Sequence, residues 1–359
     1  MWITIVILGV LIIVHESGHF IMAKVKGVRV EGFSVGFGPS LIRAKVGFTV
    51  YSLNLIPFGG YVKLAGEDPE SATGKPWEFY SRGVKDRLAI VLGGPVMNYL
   101  FALLLFVAIV AVVGEPLTQV GEVLDGYPAQ AVGVEPGDLI IRVNGAEVTY
   151  WDQVTTIIRS TTDDTVVLDI ERDDTRTSLT IAPRQEKVKD LFGSEKTIAV
   201  IGITPGEMTS RRRFFYLGVK KLWRLTVITY KALGAMAIGR LPVRESLTGP
   251  IGIFYIAKDA AQLGWLSVVH LTGLISMSLA IFNLLPIPVL DGGYILFFLI
   301  EGIRRRPLPK RTLEAVNQVG FSMLILLIAF ICYNDIVKFK DEFMPVKVWE
   351  KVTNWWDSR

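Results

Sequence analysis

Met1-Trp2-Ile3-Thr4-Ile5-Val6-Ile7-Leu8-Gly9-Val10-Leu11-Ile12-Ile13-Val14-His15-Glu16-Ser17-Gly18-His19-Phe20-Ile21-Met22-Ala23 contains no lysine or arginine and, apart from Glu16, no acid. A helix needs about 20 apolar residues to cross a bilayer, so this stretch is long enough, and its titratable side chains lie toward its far end. As a helix it projects His15 and His19, four residues apart, from one face. Two histidines at that spacing can hold one Zn²⁺, and the adjacent Glu16 can serve as general base. The blander reading, polar residues tolerated near a helix end, is the weaker one, because ionisable groups inside an apolar span are costly and usually functional.

The remaining composition agrees with a membrane protein. The chain has 359 residues, is 51% hydrophobic and has a mean hydropathy of +0.43, more apolar than an ordinary soluble domain. Four stretches are candidate spans: roughly 2–23, Leu88 to Gly114, Leu263 to Leu290, and Ala315 to Asn334. Lys24, Lys26 and Arg29 follow the first; Arg82, Lys85 and Arg87 precede the second; Arg304, Arg305, Arg306, Lys310 and Arg311 lie between the third and fourth. The excess of basic residues on cytoplasmic loops then puts 24–87 and 304–311 inside, and both termini with 115–262 outside. The net charge of +4 belongs to these flanks, so no nucleic acid is expected as a partner. A single cysteine, Cys332, excludes an internal disulfide framework and a cysteine zinc site. No basic segment precedes the first span, so no cleavable signal peptide is expected.

In order, the pattern predicts a polytopic α-helical membrane protein with a membrane-associated β-region and an inserted extracytoplasmic domain. Residues 1–113 form an N-terminal membrane part. Within it, 28–64 carries recurrent glycine and the strand-forming run Phe48 to Leu55, read as a small β-sheet that dips into the membrane and offers an edge to an extended substrate. Gly93-Gly94-Pro95 and Asn98 in the second span read as close helix packing. Residues 114–205 hold short strands at 119–124, 139–143, 166–171 and 178–182, a hairpin signal at Asn144-Gly145 and a short helix at 151–159. Residues 206–262 read as an amphipathic segment on the membrane surface, and membrane lipid is an expected partner. Residues 263–359 form a C-terminal membrane part whose tail places Trp349, Trp355 and Trp356 as interfacial anchors.

Two histidines do not complete a catalytic zinc site, which needs a third protein ligand. Asp291 follows Asn283-Leu284-Leu285-Pro286-Ile287-Pro288-Val289-Leu290 and precedes Gly292-Gly293, where prolines and glycines break the helix and let a carboxylate turn inward. The competing role for Asp291 is the N-cap of the helix that follows. The first and third spans both end inside, so His19 and Asp291 lie at one depth toward the cytoplasmic side. His270, in the outer half of the third span, is read as structural.

His15-Glu16-Ser17-Gly18-His19, with Asn283 through Asp291-Gly292, resembles the paired signature motifs of the site-2 protease family, in the right order and one per span. Gly133-Val134-Glu135-Pro136-Gly137-Asp138-Leu139-Ile140 with Val143-Asn144-Gly145 resembles a PDZ domain, and the nearest match is the bacterial regulator-of-sigma-E protease type. The resemblance implies an intramembrane zinc endopeptidase of the bacterial cytoplasmic (inner) membrane. It implies Zn²⁺ on His15, His19 and Asp291, with Glu16 as base. It also implies that Asn283, Pro286 and Pro288 shape the substrate cleft and that the β-region at Gly59, Gly60 and Tyr61 contacts substrate. Substrates would be single-span membrane proteins, such as anti-sigma factors in a stress response, or signal-peptide remnants. The PDZ domain would take a peptide ligand. Only one PDZ domain is legible, where the best-known Gram-negative members carry two. The rivals are a catalytically silent PDZ-bearing scaffold, which leaves the histidine motif unexplained, and a metal-ion carrier, which calls for several intramembrane acids or histidines along a path.

Overall fold

The fold is that of a computed structural model describing residues 2–68, 72–161, 164–189, 195–207, 209–242, 249–306 and 308–338. The expected tryptophan anchors at 349, 355 and 356 lie outside the described residues. The chain opens with α1 (Trp2–Val25), followed by β1 (Val30–Val46) and β2 (Thr49–Leu64), a 3-10 turn at Phe79–Ser81, and α2 (Val84–Val113), which contains Pro95. Then come β3 (Glu115–Pro116), β4 (Val120–Val123), α3 (Pro128–Ala131), β5 (Leu139–Val143), β6 (Ala146–Glu147) and α4 (Trp151–Ser160). These are followed by β7 (Val166–Arg172), β8 (Thr175–Ile181), β9 (Arg184–Lys189), β10 (Glu195–Val200), β11 (Ile203–Pro205), β12 (Thr209–Ser210) and α5 (Phe214–Ala237). The chain closes with α6 (Pro250–Gln262), α7 (Trp265–Asn283), α8 (Asp291–Arg304) and α9 (Lys310–Lys338). Among the described residues, four helices, α1, α2, α7 and α9, are long and apolar enough to cross a membrane.

Two compact units result: one made of Met1–Leu105 with Pro242–Arg359, the other of Phe106–Leu241. In the first, β1 and β2 are bent strands. Val30 to Val35 pairs on one side with Val50 to Leu53 and on the other with Gly60 to Leu64, while Ile42 to Val46 pairs back onto Thr49 to Leu53. Gly60 to Leu64 is therefore a sheet edge. Ala23, Val28, Val30, Leu64, Phe79, Ile90 and Phe298 share one core that fixes this sheet to α1, α2 and α8. Ile7 and Leu11 of α1 pack with Ala257 of α6 in a second core. Where α1 and α2 cross, Gly18 meets the backbone of Gly93 and Gly94, and any side chain at these positions would collide. Asp335 of α9, fully buried, accepts the N–H groups of Gly249 (3.1 Å) and Gly252 (2.8 Å), capping the start of α6 with a carboxylate from another helix. The apolar run expected to continue to Leu290 stops as a helix at Asn283, since Pro286 and Pro288 cannot continue it; residues 284–290 form a loop instead.

The second unit has β5 and β7 as the inner strands of a sheet ordered β6-β5-β7-β8, with Asn144 and Gly145 both at positive φ (49° and 79°) in the β5–β6 turn, as that dipeptide predicts. Ile140, Val154, Leu168, Ile170 and Ile181 fill its core. Asp138, 1% exposed, is held by Arg172 Nε (2.6 Å) and the Glu135 N–H (2.9 Å), which shapes the turn before β5. β3 pairs with β12, so the chain enters and leaves the domain through adjacent strands. The amphipathic stretch read across 206–262 comprises two helices: α5 belongs to this unit and α6 to the other.

Candidate metal centre

His15, Glu16 and His19 lie in the second half of α1, where the run of apolar residues keeps the helix unbroken. Asp291 is the first residue of α8, with Leu290 in the N-cap position, so Asp291 is not itself the cap. The loop before it contains Val289 at φ 79°, a left-handed conformation that a β-branched side chain rarely takes, and this turn brings Asp291 toward α1.

The three side chains converge. His15 Nε2 and His19 Nε2 are 3.2 Å apart; Asp291 Oδ2 is 3.2 Å from the first, and Asp291 Oδ1 is 3.6 Å from the second. Among the described residues this is the group of histidine and carboxylate side chains close enough to hold a metal ion. Zinc–ligand bonds of about 2.0–2.1 Å in a tetrahedron separate ligand atoms by about 3.3 Å, close to the His15–His19 and His15–Asp291 separations. His19 Nδ1 donates to the Ile90 carbonyl oxygen at 3.0 Å, which leaves Nε2 as a lone pair facing the cluster. Asp291 Oδ2 is buried and has no hydrogen-bond partner. Facing lone pairs beside an unpartnered carboxylate oxygen are repulsive until a cation joins them, and that donor set suits zinc.

The floor of the cluster comes from α2. A Cβ on Gly94 would collide with both imidazoles, so only glycine lets the rings sit there. Pro95 lacks the N–H that would bond one turn back, which loosens the ladder beside Ile90. Asn98, fully buried, approaches His15 Nδ1 at 3.5 Å. The sequence pattern pointed to packing here; the Gly-Gly-Pro break four residues before Asn98 was the available signal for more.

Glu16 faces the opposite side, toward the sheet. The backbone N–H of Val62 points toward it, and Gly60 lies against its side chain and Ile12. In Gly60 to Leu64 the backbone groups of alternate residues point away from β1: Val62 toward Glu16, and Leu64 toward Glu67 Oε2 at 3.2 Å. A cavity of about 590 Å³ opens between them, lined by His15, Glu16, His19, Gly60, Tyr61 and Asp291 among others. Asn283, with Nδ2 at 3.5 Å from His15 Nε2, also lines it. Gly59, Pro286 and Pro288 do not. Gly59, at φ 89°, is stacked under Phe37, and the two prolines belong to the loop that delivers Asp291. Glu67, Tyr294 and Asn317 line the cavity without any pattern in the sequence to single them out. Burial pushes the Glu67 carboxyl above the usual carboxylate range, against the effect of the Leu64 N–H that it accepts.

A helical membrane chain with two histidines and an aspartate converging beside a glutamate belongs to the class of zinc metallopeptidases. The profile of peptidase family M50 matches residues 3–327, and the chain belongs to that family, the site-2 proteases. Similar chains include a Clostridium acetobutylicum protein described as a zinc metalloprotease, 32% identical over 338 residues that cover 93% of this chain and 96% of the other. Zinc metalloprotease RasP of Geobacillus kaustophilus is 27% identical over 414 aligned residues, covering 93% of this chain and 97% of its own. Among solved structures, the PDZ domain of an SdrC-like protein of Listeria innocua matches 26% of this chain and 92% of its own, at 22% identity and a TM-score of 0.19. The protein is thus a membrane-embedded zinc metalloprotease of the site-2 type.

Proposed function

We propose that this protein cuts single-span membrane proteins within their transmembrane segments, at a zinc held by His15, His19 and Asp291. The observation that carries the reading is the convergence of those three donors within 4.8 Å of one another, with Glu16 between them and a sheet edge. Zinc supplies Lewis acidity toward water and the scissile carbonyl. Glu16 takes the proton from the attacking water and passes it to the departing amine. A transmembrane helix hides its carbonyls in its own hydrogen bonds, so the substrate unwinds first. The outward backbone groups of Gly60 and Val62 hold the unwound segment as an added strand, with Tyr61 beside it. Asn283, close to His15, donates to the carbonyl oxygen as charge develops there. Gly59, Pro286 and Pro288 act indirectly, by fixing the sheet corner and the Asp291 loop.

The reading extends to place. The protein resides in a bacterial cytoplasmic membrane, with both termini and the inserted domain outside and the metal toward the cytoplasm, as the basic flanks indicate. Anti-sigma factors and signal-peptide remnants are the substrate classes, and the inserted PDZ domain takes a peptide that governs entry.

The test compares zinc content and product formation for purified Glu16→Gln and His15→Ala. Glu16→Gln should hold zinc and bind substrate while cleavage falls by about 10²–10⁴-fold, the usual loss on removing a general base. His15→Ala should lose metal and activity together. A Glu16→Gln protein that cleaves at the parental rate would sink the mechanism.

A further inference from the structure

We infer that Asn98 is a positioning residue that fixes the tautomer of His15 by accepting a hydrogen bond from its Nδ1–H; the inference rests on the metal site proposed above. His15 Nε2 faces His19 and Asp291, so for that nitrogen to offer a lone pair the ring proton must sit on Nδ1. An Nδ1–H turned against the buried Asn98 side chain needs an acceptor. What stands opposite is the Asn98 side chain, 0% exposed, with Nδ2 at 3.5 Å from Nδ1 and with Oδ1 buried and unpartnered. Two donors facing each other do not bond, while an orphaned acceptor sits on the same amide. The two amide atoms have nearly the same size, so a half-turn of the amide exchanges them without new space and brings Oδ1 to the Nδ1–H.

The rest of Asn98 is held for this task. Its backbone carbonyl accepts the Ser276 hydroxyl at 2.8 Å, with Ser276 itself fully buried on α7. The side chain leaves α2 one turn after Gly94, the glycine that makes room for the two rings. The arrangement parallels the other histidine, whose Nδ1 is held by the Ile90 carbonyl from the same helix. One helix therefore sets both tautomers, through a backbone acceptor for His19 and a side-chain acceptor for His15.

The experiment titrates Zn²⁺ against a chromophoric chelator on purified full-length parent, Asn98→Leu and Asn98→Asp, and records the visible spectrum of each with Co²⁺ in place of zinc. Leucine keeps the volume and removes the acceptor; aspartate keeps an acceptor of the same shape. Loss of such an outer partner typically weakens metal binding about 10–100-fold, so Asn98→Leu should show that loss and an altered cobalt spectrum. Asn98→Asp should stay within a few-fold of the parent and keep its spectrum. If Asn98→Leu does not accumulate, Asn98→Ala, which only removes atoms, carries the same expectation. Parental affinity in Asn98→Leu or Asn98→Ala overturns the inference, as does an Asn98→Asp protein that binds as weakly as the variant without an acceptor. A parent that takes up no zinc overturns the proposed metal site itself, which is a separate result.

Discussion

At the scale of single residues, the site depends as much on atoms that are missing as on those that bind. Gly94 has no side chain, and its absent Cβ is the space in which the His15 and His19 rings lie. Gly94→Ala forces the rings or α2 to move. In the proposed zinc site the two Nε2 atoms, now 3.2 Å apart, must stay near that distance, so a shift of an ångström is enough to spoil the set. The variant should insert normally and lose zinc, which metal analysis of the purified protein detects. A Gly94→Ala protein with one tightly held zinc would show that the rings have more freedom than the packing allows. Val289 represents the opposite case, a residue where side-chain bulk is kept at a cost. A non-glycine residue in a sparsely populated backbone region costs about 1–3 kcal/mol, and this one sits two residues before Asp291 in the loop that aims it.

At the scale of elements, the edge formed by Gly60 to Leu64 is the part of the fold proposed to receive an extended chain. Val62 is the residue to change, because its N–H points to Glu16 and away from β1. Proline is tolerated on sheet edges and removes that one donor. A hydrogen bond to a charged group contributes about 1.5–3 kcal/mol, so Val62→Pro should lower kcat/KM about tenfold or more while zinc content stays parental. Unchanged cleavage would mean that the edge neither steadies Glu16 nor receives substrate. This element also marks where legibility in the sequence ended. The strand run at 48–55 and the glycines announced a sheet, but not that Val30 to Val35 would pair on both sides, which is what makes Gly60 to Leu64 an edge. That outcome depends on chain reversals at Gly36, Gly38 and Gly59, all at positive φ, whose directions no periodicity encodes. His15, Glu16, His19 and Asp291 were legible because ionisable groups in apolar runs are conspicuous. Asn98 was half legible, and Glu67, Tyr294 and Asn317 were not, since cavity walls assembled from distant segments leave no local pattern. The third span illustrates the same limit: its apolar composition runs to Leu290, while its helix ends at Asn283.

At the scale of the whole molecule, the inserted domain and the orientation in the membrane can each be tested. β3 and β12 pair through Thr209–Pro116 and Ser210–Glu115, and Arg213 closes on Glu115 with Nε at 3.1 Å, so the two ends of the insertion are already adjacent. Excising 117–208 and rejoining the chain at that neck should leave cleavage of a pre-trimmed substrate largely intact and relax selection against bulky ones; complete loss in a correctly inserted protein would make the domain a structural requirement. Orientation can be read with one reactive thiol at a time. Cys332 is the single cysteine, lies in the apolar α9 and is partly buried, so Cys332→Ser provides a silent background. Asp173, exposed in the β7–β8 turn, reports on the inserted domain, and Pro76, exposed in the loop that precedes α2, reports on the face toward which Lys24, Lys26, Arg82 and Arg87 gather. An impermeant maleimide applied to intact spheroplasts should label Asp173→Cys at once and Pro76→Cys only after the membrane is opened. Charge bias on short loops sets orientation, and three separate basic flanks agree here, so the proposed topology expects the two thiols on opposite sides. If Pro76→Cys is the one labelled in intact spheroplasts, the chain is inverted, and the metal would open toward the outside. Labelling of both would remove the membrane from between them, and with it the argument that His19 and Asp291 meet because their spans end on the same side.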